Sequence, residues 1–87
     1  MRRLRGVEEA KKHIANRIRE LEYDLRNRDA PSLDDCMDSA DAYATHAISK
    51  ALGFEELSQR ALQVAQKQEE HCKVFEKRGL GRSKRGR

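Results

Sequence analysis

Apolar residues recur along the first third of the chain at intervals of three and four. Leu4, Lys11, Ile18 and Leu25 form one heptad-spaced set, and Val7, Ile14, Leu21 and Arg28 form the other. All but Lys11 and Arg28 are apolar, which predicts a helix from Leu4 to about Asn27 with a narrow, coiled-coil-like stripe. At 1.5 Å per residue that helix would run about 36 Å. Its other faces are charged, with Glu8–Lys12 and Glu22–Arg26 in the favourable i,i+4 order.

Pro31 cannot sit inside a helix and disfavours helix at Ala30, so the first element must stop before it. Ser32 and Asp35 have the spacing of a capping box, and Asp34, Asp35 and Asp38 load the following turns with the charge that a helix N-terminus favours. A second helix is therefore predicted from Leu33 to about Leu52. Along it Leu33, Cys36/Met37, Ala40, Ala44, Ala47/Ile48 and Ala51/Leu52 recur at helical spacing. These mostly small residues predict a buried stripe that lets a neighbouring helix approach closely. Tyr43 falls at its edge, with its hydroxyl expected in water.

Gly53, followed by Phe54-Glu55-Glu56, predicts a turn: glycine ends one helix and two acids open the next. The alternative is one helix of about 45 residues carrying an interior glycine at a cost of about 1 kcal/mol. The third helix is predicted from Phe54 to about Arg78, with Leu57, Ala61, Val64/Ala65, Gln68, Cys72 and Phe75 on one face. Residues 79–87, rich in glycine and basic groups with only Leu80 to bury, are expected to form a disordered tail.

Composition narrows what these helices can do. Of 87 residues 37% are apolar, ten of them Ala, and 39% are charged. The length bounds the chain to one small domain over residues 1–78. No apolar run is long enough to cross a bilayer, and two cysteines are too few for a disulfide-dense scaffold. The fold class is all-α: a helical hairpin or three-helix bundle with coiled-coil-like packing. Leu4, Val7, Ile14, Ile18, Leu21, Leu25, Leu57, Val64 and Phe75 are the candidate core or self-association residues. So little large apolar surface barely offsets chain entropy, which predicts a homo-oligomer. No apolar segment follows the basic start, so a cytoplasmic location with reduced thiols is expected.

Charge is segregated. Residues 1–28 carry a net +4, residues 29–58 a net −6 and residues 59–87 a net +6, within an overall +4. Asp34, Asp35, Asp38 and Asp41 offer a docking patch for a basic protein surface, or pair with the chain's own basic helices. Arg2, Arg3, Arg5, Lys77, Arg78, Arg82, Lys84, Arg85 and Arg87 offer phosphate contacts to a nucleic acid, or only keep the chain soluble. The tail has no interleaved aromatics, so such binding would lack base stacking. A helix-turn-helix around Gly53 is disfavoured, since Glu55 and Glu56 would open the recognition helix against phosphates.

Chemistry-bearing residues are sparse. No CxxC or HxxxH spacing marks a metal site, no Glu-x-x-His motif marks a di-metal bundle, and no glycine-rich loop follows a strand. An enzymatic role, a cofactor and a small-molecule substrate are not expected. Cys36 lies 17 residues before Gly53 and Cys72 lies 19 after it, so a hairpin would bring them to one height. They form either a thiol pair (a contact, a redox-formed disulfide or a metal site completed by His71) or two small buried hydrophobes. The pattern as a whole predicts a small protein-binding module (a regulator, inhibitor or assembly subunit) acting through a helix face. The alternative is a nucleic-acid binder using its basic ends.

Overall fold

The computed structural model describes the backbone of residues 2–28 and 30–85, and the side chains of residues 6–28 and 30–78. Three helices follow one another: α1 (Arg2–Asn27), α2 (Leu33–Ala51) and α3 (Glu55–Arg85). They run up, down and up. Arg17 and Arg28 of the first limb meet Asp41 and Asp35 of α2 in antiparallel order, and Cys36 and His46 of α2 meet Cys72 and Ser58 of α3 likewise. α2 and α3 make the most extensive pairing, and α1 lies against both.

Local chemistry fixes both breaks. The backbone N–H of Ser32 donates to Asp35 Oδ2 at 3.0 Å, the carboxylate half of a capping box. At the second break, Gly53 adopts φ +85°, the left-handed conformation that L side chains resist. Gly53 N–H donates to the Lys50 carbonyl at 3.1 Å and Phe54 N–H to the Ser49 carbonyl at 2.9 Å. That pair of bonds is a Schellman motif, and it satisfies carbonyls the helix end would otherwise orphan. The uninterrupted second helix is thereby excluded. α3 runs on to Arg85, past the end expected near Arg78, and the side chains of residues 79–85 lie outside those described.

The core has two adjoining layers. Ile14 and Ile18 of α1 pack with Leu57 and Ala61 of α3, flanked by Ala15 and Phe54. Leu21 packs with Ala42, Val64 and Ala65, flanked by Leu25 and Tyr43. Of the candidate core residues, Ile14, Ile18, Leu21, Leu57 and Val64 are thus buried, Leu25 and Phe75 are half-buried, and Val7 is exposed. Leu4 lies outside the described side chains. α2 contributes Ala42 to the buried residues of these layers and Tyr43 to their flank.

Candidate interaction face and cysteine pair

The inward face of α2 is polar. Its buried residues are Asp35, Ser39, Ala42, Thr45 and Ser49. This overturns the expectation that Leu33, Met37, Ala40, Ala44, Ala47/Ile48 and Ala51/Leu52 face the bundle. Those residues point outward: Leu33 is 58% exposed, Met37 63%, Ile48 52% and Leu52 44%. The alanines at positions 40, 44, 47 and 51 are exposed beside them.

The reason lies in what the inner face must do. α3 comes so close that the Cα atoms of Cys36 and Cys72 are 4.7 Å apart. Only small side chains fit such an approach, and Ser39, Ala42 and Ser49 are small. Their hydroxyls do not need water. Ser49 Oγ donates to the Thr45 carbonyl at 2.7 Å and Thr45 Oγ1 to the Asp41 carbonyl at 2.9 Å, bonds made within the helix itself. Ser39 Oγ donates across to the Ala65 carbonyl at 3.3 Å.

The acidic residues turn mostly toward α1. Asp35, fully buried, accepts from Arg28 at 2.8 Å, and Asp38 accepts from the same guanidinium at 3.2 Å. Asp41 accepts from Arg17, and that bond holds the Arg17 guanidinium above its ordinary range. Of the four candidate docking aspartates only Asp34 is exposed and without such a bond among the described residues. Arg60 clamps Glu22 through two nitrogens at 2.8 and 3.3 Å, tying α1 to α3. The Tyr43 hydroxyl, expected in water, donates instead to Glu69 Oε1 at 2.6 Å.

Cys36 and Cys72 form a disulfide, which corrects the expectation of reduced thiols and of two separate buried hydrophobes. Both residues are half-buried, near the pole where α1 ends. The candidate completing ligand, His71, points elsewhere: its Nδ1 is 3.8 Å from Asp35 Oδ1. Glu76, one turn beyond Cys72, brings a carboxylate oxygen within 4.8 Å of both sulfurs. Sequence periodicity gave no signal for Glu76 because it counts among many exposed acids.

Gln68 falls on the inner face of α3 by its spacing, and it is fully buried there with neither amide atom bonded among the described residues. Of the candidate nucleic-acid contacts, Lys77 and Arg78 are exposed. The side chains of Arg2, Arg3, Arg5, Arg82, Lys84, Arg85 and Arg87 lie outside the described residues. Among the described residues no helix is long and apolar enough to cross a membrane. No protein-family model, curated protein or solved structure matches this chain.

Proposed function

We propose that this chain is a non-enzymatic protein-binding module, an assembly subunit whose working surface is the outward face of α2 and whose occupant is α2 of a second copy. The observation that carries the reading is the inversion of that helix. It buries Asp, Ser and Thr while Leu33, Met37, Ile48 and Leu52 face outward along one stripe. A contiguous apolar stripe rimmed by charge is the usual mark of an interaction surface.

A second copy fits because the stripe is symmetric in size about positions 42 and 43. Large side chains stand at both ends, Leu33 and Met37 at one and Ile48 and Leu52 at the other, with Ala40 and Ala44 between. An antiparallel two-fold pairing sets Leu33 against Leu52 and Met37 against Ile48, and the central alanines let the backbones close. Charge favours the same orientation. It places the acidic first half of one α2 beside the second half of the other, where Lys50 is the only charged residue. Parallel pairing would set Asp34 beside Asp34.

The stripe measures about 27 Å by 15 Å from helix geometry, so a pair would bury about 800 Å² in total. That is the small end for a specific interface, and it implies a concentration-dependent dimer of micromolar or weaker affinity. Sedimentation equilibrium is the test. The wild type should pass from monomer to dimer with rising concentration, and Met37→Glu should stay monomeric with an unchanged helical circular dichroism spectrum. A wild type monomeric at millimolar concentration, or a Met37→Glu dimer of equal affinity, would refute the reading.

A further inference from the structure

We infer that Cys36, Cys72 and Glu76 form a zinc site when the disulfide is reduced, so that this pole of the molecule is closed either by a sulfur–sulfur bond or by a metal ion. Three donor atoms, one sulfur from each cysteine and one carboxylate oxygen, all lie within 4.8 Å of one another. Two come from α3 at i and i+4, hence on one face, and the third comes from α2, held opposite with its Cα 4.7 Å from that of Cys72.

The donor set selects the metal. Thiolates are soft ligands that favour Zn²⁺ over Mg²⁺ or Ca²⁺, and a carboxylate completes common zinc sets. Two sulfurs on a tetrahedral zinc, each at about 2.3 Å, stand about 3.8 Å apart, so reduction followed by small side-chain rotations opens enough room. The fourth position is left for water, since Glu76 is exposed and the cysteines are only half-buried. Glu76 makes no ion pair among the described residues. His71 is not required, because its ring is turned toward Asp35.

The chemistry balances with a dithiol as reductant. The Cys36–Cys72 bond breaks, each sulfur takes one electron and one proton, and the dithiol closes to its own cyclic disulfide. Zinc then displaces both thiol protons to the buffer and binds the two thiolates. Metal and disulfide are mutually exclusive states of the same two sulfurs.

Cobalt(II) titration of the full chain tests this. The reduced protein, freed of excess dithiol, should bind one Co²⁺ and develop a thiolate-to-cobalt charge-transfer band, which one equivalent of Zn²⁺ abolishes. The oxidised protein should develop none. Glu76→Gln keeps both cysteines and should retain the band while binding more than about tenfold more weakly, since loss of even an outer-shell partner costs ~10–100-fold. Absence of the band in the reduced protein overturns the inference. So does a band of equal strength in Cys36→Ser, or an affinity untouched by Glu76→Gln.

Discussion

α1 and α2 carry apolar stripes of the same helical spacing, yet one stripe is buried and the other faces out. In α1 the stripe has no rival: the other faces are crowded with charge, so Ile14, Ile18 and Leu21, flanked by Ala15 and Leu25, are the surface it buries among the described residues. In α2 the face opposite the apolar stripe is made of small residues whose hydroxyls bond within the helix or to α3. That face packs closely without large side chains, so the larger ones are left outside. A hydrophobic pattern reports that a stripe exists. Which way it faces depends on what the opposite face can do, and on the constraints at the two ends of the helix.

Those constraints give the largest expected effect. The disulfide closes a 36-residue separation, for which loop entropy gives about 4 kcal/mol of stabilisation. Because α2 adds only Ala42 and the flanking Tyr43 to the core, Cys72→Ser should cost stability of that order, read in urea unfolding, and loosen α2 first. Hydrogen exchange should then show α2 amides losing protection well before those of α1. Equal loss in both helices would mean that the polar face alone seats α2 without the disulfide.

The two stripes are contrasted directly by truncation. Leu21→Ala leaves a cavity in a fully buried site and should cost about 3 kcal/mol. Met37→Ala, at a longer side chain of similar hydrophobicity, should cost less than about 0.5 kcal/mol in dilute solution, where the monomer dominates. Urea unfolding at micromolar concentration reads both. Similar costs for the two would place Met37 inside.

How much of this was legible varies by element. The breaks at Pro31 and Gly53 were visible because each rests on one residue's backbone chemistry. The α1 stripe was visible because only one face of that helix is apolar. The facing of α2 was not, since hydropathy counts Ser39, Thr45 and Ser49 as polar and cannot see the carbonyls that satisfy them. The meeting of Cys36 and Cys72 was legible as geometry once Gly53 is a turn, but nothing in their spacing distinguishes a bond from mere proximity. Glu76 was invisible for want of any periodic signal, and the unbonded Gln68 amide has no account in the contacts of its neighbours.

Smaller effects sharpen the same contrast at the ends and flank of α2. At Gly53 a Cβ would meet nothing within 4 Å, so Gly53→Ala is opposed by backbone conformation alone and should cost about 1 kcal/mol. A stabilised protein, read by thermal melting, would show that the turn does not need the left-handed conformation.

The smallest effect is at Tyr43, whose hydrogen bond to Glu69 raises its phenol above the ordinary value of 10.0. A raised value means that the bond's contribution is present below that pH and fades as pH rises through the folded-state value. Glu69→Gln removes the carboxylate that accepts this bond and should move the Tyr43 ionisation, read by ultraviolet titration, back toward the ordinary value.

The central claim is that the outward face of α2 is a surface for another copy of itself. The most direct measurement is a dilution series of amide nuclear magnetic resonance spectra. Shifts that change with concentration should cluster on Leu33, Met37, Ala40, Ala44, Ile48 and Leu52, and follow one dimerisation constant. Shifts that do not move with concentration, or that map to α1 and the exposed face of α3 instead, would contradict it.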